Sequence, residues 1–218
     1  IDDWFDSEYG TFRIRNVADM MADFDEEKLK ELDAMKEESP GGKLTATGAE
    51  WAAIIRAIQQ DDELMKLELQ ESNTDAEMYC FTYPDKKEEA VVVFRGTVDG
   101  DEWYDNVKGL NTADTECQVE ALDFVESLPY DNITVVGHSK GANKAQYVTI
   151  LSDKVNRCVA MDGQGFSQKF LDKYYVEISE KGKLITNHSL ANDYVHILMF
   201  PVPGATQVYY KGMEENYG

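Results

Sequence analysis

Two spacings of apolar residues divide the chain near residue 75. Up to that point, apolar residues recur every three or four positions among polar ones, which is the spacing of amphipathic helices. This spacing predicts helices over residues 16–21, 26–35 and 48–69, with Pro40 and two glycines interrupting the pattern. We therefore expect residues 1–75 to be a helical segment that covers one face of a β-sheet.

Beyond residue 75, short runs rich in β-branched residues alternate with amphipathic stretches. Helices are predicted over residues 115–128 and 142–151, and a helix or loop over residues 166–175. The predicted strands are 77–83, 89–95, 132–136, 156–161, 183–186, 194–199 and 206–210. Strands that alternate with helices indicate the α/β class, with a mainly parallel sheet and covering helices in residues 76–218. With the N-terminal helical segment, residues 1–218 are expected to form a single domain.

The stretch G-H-S-K-G at residues 137–141 lies between a predicted strand and a predicted helix. A strand, a G-x-S-x-G turn and a helix form the nucleophile elbow of the α/β-hydrolase fold. The glycines allow the strand and helix backbones to approach closely, while the turn holds the serine in a strained conformation. Outside such a context the same letters would mark an ordinary turn serine. The context therefore predicts the α/β-hydrolase fold, with Ser139 as nucleophile and the N–H of Lys140 as an oxyanion donor.

The formal net charge of −21 narrows the classes of partner. Nucleic-acid binding requires a basic patch, and docking on an anionic membrane requires clustered lysine and arginine, so the charge argues against both. The simplest interpretation is a solvated acidic surface that keeps the protein soluble. A transient contact with a membrane surface stays compatible with the sequence.

Cysteine, histidine and acidic residues do not follow the spacing of a metal site. The three cysteines form no C-x-x-C pair, and the acidic clusters lack the spacing of a calcium loop, so no metal or organic cofactor is predicted. Cys80 and Cys158 lie in apolar runs and are predicted to be buried thiols.

No apolar run reaches the length of a membrane-spanning helix, and the acidic N-terminus is unlike a signal peptide. A cytoplasmic and a secreted location both fit. The chain starts without methionine and stops abruptly, so we expect that either end was trimmed, with a truncation at the C-terminus.

Three motifs together resemble class 3 lipases. Phe94-Arg95-Gly96-Thr97 followed by Trp103-Tyr104-Asp105 is similar to the F-R-G-[ST]…W-x-x-D stretch of that family. The G-H-S-x-G elbow follows, and the segment 192–196, N-D-Y-V-H, is similar to the family segment that carries the triad acid. The resemblance covers residues 77–210 in the family's order. The lysine after the serine and the stretch 161–166 look more like a bacterial branch of lipase-like proteins than fungal lipases.

The resemblance implies roles for further residues. Thr97 would supply the second oxyanion donor, although a turn residue at the strand end is the alternative. Asp193 would be the triad acid, with Asp162 as the alternative at the end of the strand after the elbow. Arg95 and Asp105 are expected to form a structural ion pair. The Lys140 side chain is expected to be solvated, although its charge would also suit an anionic head group.

The catalytic base is not settled by the sequence. In class 3 lipases it follows one more strand, which corresponds here to residues 206–210, and no histidine comes after them. A base beyond residue 218 is the preferred account. His188 or His196, acting with Asp162 or Asp193, is the second account, and an incomplete triad is the third. His138 is expected to pack beside the elbow.

These observations predict a serine hydrolase, an esterase or lipase with phospholipase activity as one subclass, which cleaves acyl esters of lipids through an acyl-enzyme. One alternative is a catalytically silent binding or scaffold protein on the same fold. Another is a secreted lipase effector toxin. A peptidase or thioesterase would use the same triad chemistry.

Overall fold

The fold is taken from a computed structural model that describes residues 5–6, 11–12, 16–35, 47–96, 112–191 and 195–211. By internal contacts, the chain divides into two compact units. The first comprises Ile1–Gln70 and Thr82–Lys86, and the second comprises Glu71–Phe81 and Lys87–Gly218.

The first unit is built around helices whose starts are fixed by polar caps. Its elements are strands β1 (Phe5–Asp6) and β2 (Thr11–Phe12), which pair antiparallel, and helices α1 (Val17–Ala22), α2 (Glu26–Ala34) and α3 (Gly48–Gln59). Thr47 and Glu50 form a capping box at the start of α3. Leu29 of α2 packs with Ala52 and Ile55 of α3, and these three side chains form a small core.

The predicted helix over residues 48–69 is wrong after residue 59. The carboxylate of Asp61 accepts hydrogen bonds from the backbone N–H groups of Glu63 and Leu64, both at 3.0 Å, and this turn ends the helix. Leu67 and Leu69 are then both buried, which is the period of two expected of a strand. Strand β3 accordingly begins at Glu68, so residues 1–75 are not helical throughout.

The central element is a seven-stranded mixed sheet in which the strands lie in chain order. Its strands are β3 (Glu68–Asn73), β4 (Met78–Tyr83), β5 (Lys86–Phe94), β6 (Asn132–His138), β7 (Val155–Met161), β8 (Ile185–Leu190) and β9 (Thr206–Tyr210). Each neighbouring pair from β5 to β9 is parallel. With the flanking helices, this sheet confirms the predicted α/β class.

Helices connect the parallel strands of the second unit. They are α4 (Glu116–Ser127), α5 (Lys140–Leu151), α6 (Gln168–Lys173) and α7 (Tyr175–Lys181). Because the crossovers run in one direction and right-handed crossovers are the rule, the helices are expected on one face of the sheet. Helix α5 contacts both α4 and α7, and every residue from Lys140 to Ile150 is buried. The sheet and α5 thus form the core that holds Ser139.

Two further sequence predictions can be judged in this unit. Cys80 and Cys158 are fully buried, as predicted, and burial raises the pKa of each thiol to about 12. The predicted strand at 194–199 is wrong for residues 195–199, which form a turn. Met199 has a φ of 65°, a left-handed conformation that an extended strand cannot contain. None of the helices in the described residues has the length and apolarity to cross a membrane.

Candidate active site

Ser139 lies at the junction of β6 and α5 in a backbone conformation that few L-residues adopt. Its φ of 54° and ψ of −122° fall in a region that favours glycine, and it is the N-cap of α5. Such a conformation costs on the order of 1–3 kcal/mol and persists only where surrounding contacts impose it. The strand, tight turn and helix that the sequence predicts around Ser139 are therefore present.

The glycines on either side of Ser139 are required by close backbone contacts. A Cβ on Gly137 would lie 2.2 Å from the carbonyl oxygen of Gly141, and a Cβ on Gly141 would lie 2.1 Å from the carbonyl oxygen of Phe94. Both distances are far below van der Waals contact. The G-x-S-x-G pattern thus lets the first turn of α5 approach the ends of β5 and β6.

Backbone hydrogen bonds fix Ser139 between β7 and α5. Its N–H donates to the carbonyl of Met161 at 2.9 Å, and its own carbonyl accepts from Ala142 at 3.0 Å and Asn143 at 3.3 Å. His138 pairs in register with Met161 across the two strands. Ser139 is consequently held at the carboxyl edge of the sheet, beside the residue that follows β7.

Lys140 is the first residue of α5, and its side chain is only 3% exposed. The prediction of a solvated Lys140 side chain is wrong, because the start of α4 and the loop after β7 pack around the first turn of α5. Lys140 lines a small cleft together with residues from both segments. The N–H groups of a helix's first turn point along the axis out of the helix, which is the geometry an oxyanion donor needs.

Asp162 follows β7 and comes close to Ser139 through the neighbouring strand end. Its φ is 46°, its N–H donates to the carbonyl of His188 at 2.9 Å, and its carboxylate accepts from the N–H of Leu190 at 2.7 Å. The carboxylate therefore joins the ends of β7 and β8. Asp162 therefore has a structural role, because this hydrogen bond holds the two strand ends together.

The two candidate histidines lie near tyrosines of β9. Nδ1 of His188 is 2.9 Å from the hydroxyl of Tyr210, and the two rings stack with centroids 5.8 Å apart. His196 meets the ring of Tyr209 edge-on, at a centroid distance of 5.8 Å. The structure thus brings Ser139, Lys140 and Asp162 together, and within the described residues no histidine ring is hydrogen-bonded to Ser139 or to the Asp162 carboxylate.

Three of the residues to which the sequence analysis gave a role lie outside the described part of the chain. They are Thr97, Asp193 and Asp105. Arg95 forms an ion pair with Glu77 of the turn before β4, and its predicted pair with Asp105 stays a prediction.

Two buried side-chain amides at the cleft were not predicted from the sequence. Gln118 of α4 and Asn143 of α5 are 5% and 3% exposed, and Gln118 Nε2 donates to Asn143 Oδ1 at 2.6 Å. The available signal was spacing, since Asn143 lies four residues after Ser139 and so on the same side of the helix. Nothing local in the sequence shows that α4 reaches it.

Asp114 anchors the segment that leads into α4. Its carboxylate accepts hydrogen bonds from the hydroxyls of Tyr147 at 2.9 Å and Tyr174 at 2.6 Å, and it pairs with Lys173 at 2.5 Å. Burial acts to raise the pKa of Asp114, but the bonds from Lys173, Tyr174 and Tyr147 outweigh it, so the pKa is lowered. The ionised carboxylate therefore stabilises the fold.

We expect Asp114→Asn to lower the free energy of unfolding by about 1–3 kcal/mol at pH 7, the usual range for hydrogen bonds to a charged group. Because the folded pKa is depressed, the contribution is present above the ordinary value of about 3.9 and is lost as the pH falls through the folded pKa. Urea unfolding across this pH range should show parent and variant converging in acid. Asp153→Asn, which removes a surface partner of Lys181, is the control and should change little. A gap between parent and Asp114→Asn that stays constant into acid would contradict the assignment.

Comparisons with known proteins add a family and a distant structural likeness. Residues 58–192 match the family model described as Mbeg1-like. Among solved structures, the chain is similar to the crystal structure of M37 lipase, with 12% sequence identity, a TM-score of 0.40, and coverage of 77% of this chain and 68% of that chain. No curated protein matches the chain.

Proposed function

The chain belongs to the Mbeg1-like family, which is lipase-like, and on this premise we propose that it is a serine hydrolase that cleaves acyl esters of lipids. The observation that carries the proposal is the strained backbone of Ser139 between β6 and α5. A serine that the surrounding contacts hold in a glycine-like conformation is typical of functional sites. In this proposal the second unit is an α/β-hydrolase domain of the class 3 lipase type, and phospholipase is one subclass of the activity.

The proposed chemistry is acyl transfer in two steps. Ser139 Oγ attacks the ester carbonyl while a base takes its proton, and the tetrahedral intermediate then expels the alcohol, which receives that proton. Water attacks the acyl-enzyme in the second step and releases the carboxylic acid. The N–H groups of Lys140 and Thr97 are proposed to hold the oxyanion in both steps. No metal or organic cofactor takes part in this scheme.

The acid of the proposal is Asp193, because Asp162 is engaged with the N–H of Leu190. The histidine is the residue that experiment must identify. His188 is the first to test, since it pairs in register with Met161, the neighbour of Asp162, and its Nδ1 contacts a tyrosine hydroxyl.

The proposal is tested with a fluorophosphonate, which reacts covalently with an activated serine. We expect intact mass analysis to show one adduct on the folded protein, and peptide mapping to place it on Ser139. The Ser139→Ala variant and the urea-unfolded protein should carry none. Labelling that is lost on His188→Ala or His196→Ala assigns the base to that residue. Absence of any adduct on the folded parent would reject an active serine hydrolase within residues 1–218 and favour the silent scaffold, unless the same reagent labels Ser139 in the full-length gene product, which would place the base beyond residue 218.

A further inference from the structure

A chain of buried amides crosses from α4 to the loop after β7. The N–H of Thr115 donates to Gln118 Oε1 at 2.9 Å, and Gln118 Nε2 donates to Asn143 Oδ1 at 2.6 Å. Asn143 Nδ2 then donates to the carbonyls of Gly165 at 2.9 Å and Gln164 at 3.4 Å. A backbone N–H can only donate and a carbonyl can only accept, so the two ends of the chain fix the orientation of both amides.

This chain of amides joins the walls of one cleft. The cleft lies over the first turn of α5, between the start of α4 and the loop after β7, and Thr115, Gln118, Lys140, Asn143 and Gly165 line it. The far side is closed by a second bond, in which the Ser167 hydroxyl donates to the carbonyl of Thr112 at 2.6 Å. The two walls are therefore tied to each other at two points, once through Asn143 of α5 and once directly.

We propose that Asn143 is a positioning residue that holds the Gln164–Gly165 wall of this cleft at a fixed distance from Ser139. The proposal rests on the proposed function, since it takes the Gln164–Gly165 wall as one side of the path by which the part of an ester beyond its carbonyl approaches Ser139. Asn143 acts through other residues and does not touch the reacting atoms.

The consequence of losing Asn143 follows from its two donated bonds. Asn143→Asp has the same shape and still accepts from Gln118, but its carboxylate faces the carbonyls of Gln164 and Gly165 in place of the amide donor. An ionised carboxylate has no proton to donate, and its oxygens are repelled by the partly negative carbonyl oxygens, so the wall moves away from α5. The backbone of Ser139 is held by other bonds and keeps its place. The change should therefore affect large reagents more than small ones.

The experiment compares two phosphonylating reagents of different size on parent and variant. For Asn143→Asp, labelling of Ser139 by a fluorophosphonate with a polyether arm should slow by about 10- to 100-fold, and labelling by diisopropyl fluorophosphate by less than about threefold. Cys117 also lines the cleft and is the one cysteine that is not buried, so its reaction with a thiol reagent should accelerate severalfold.

Controls separate positioning from stability. Asn156→Asp removes an amide donor at the amino end of β7 and should change neither rate ratio nor thiol reactivity. If Asn143→Asp does not fold, Gln118→Glu carries the test, because it keeps the acceptor for Thr115 and loses the donor to Asn143. Equal slowing of both reagents with unchanged Cys117 reactivity would overturn the proposal. If neither phosphonylating reagent labels the parent protein, the proposed function fails. The rate at which the thiol reagent modifies Cys117 would still show whether Asn143 holds the Gln164–Gly165 wall in place.

Discussion

Alanine at position 141 is expected to destabilise the protein by about 3 kcal/mol or more, at the upper end of the cost of overpacking. The added Cβ would lie 2.1 Å from the carbonyl oxygen of Phe94 and 2.7 Å from that of Arg95. Both atoms belong to the backbone at the end of β5, so no side chain can rotate to make room. The helix and the strand must separate, and Ser139 moves with the helix.

The loss of stability expected for Gly141→Ala is opposite in sign to the effect of helix propensity. Within an exposed helix, replacing glycine by alanine stabilises by about 1 kcal/mol. Urea unfolding of Gly141→Ala should show the opposite sign, together with loss of fluorophosphonate labelling at Ser139. Gly204→Ala is the matched control, because its Cβ would meet nothing closer than 3.8 Å and only its φ of 83° opposes alanine. A Gly141→Ala variant as stable as the parent would show that α5 and β5 do not approach as described.

The turn at Ser139 could be predicted because its determinants are local. A β-branched run, two glycines and an amphipathic stretch all fall within residues 132–151, and each favours the same strand–turn–helix. Strand β3 was missed because a helical spacing was extended past Asp61. The alternate burial of Leu67 and Leu69 indicates a strand only when the helix is known to end at the turn that Asp61 forms.

The surroundings of Ser139 depend on contacts between distant segments. Asn143 meets Gln118 across 25 positions and Gly165 across 22, and neither partner is indicated by the sequence near Asn143. The burial of Lys140 likewise requires α4 and the loop after β7 to pack over its helix. An amphipathic pattern gives the face of a helix that is buried, but not which segments cover its end.

A variant with glycine at position 139 is expected to be more stable than one with alanine, and both are expected to lose ester hydrolysis. Alanine must adopt the φ of 54° and ψ of −122° that Ser139 shows, whereas glycine adopts them without a Cβ clash. The strain relieved is on the order of 1–3 kcal/mol, and the extra freedom of glycine in the unfolded chain offsets about 0.5–1 kcal/mol. Ser139→Gly should therefore exceed Ser139→Ala in unfolding free energy by about 1 kcal/mol.

Substitution by glycine and by alanine at a serine with ordinary helical backbone angles is the control for the strain at Ser139. Ser179 is exposed on α7, and there glycine should be the less stable of the two by about 1 kcal/mol. Hydrolysis of p-nitrophenyl butyrate should fall by about 10³-fold or more in both variants at position 139, since removal of the proposed nucleophile would leave only binding and oxyanion stabilisation. Hydrolysis that survives would place the nucleophile elsewhere. Greater stability of the alanine variant would mean that the serine is not strained, and the elbow would lose its physical basis.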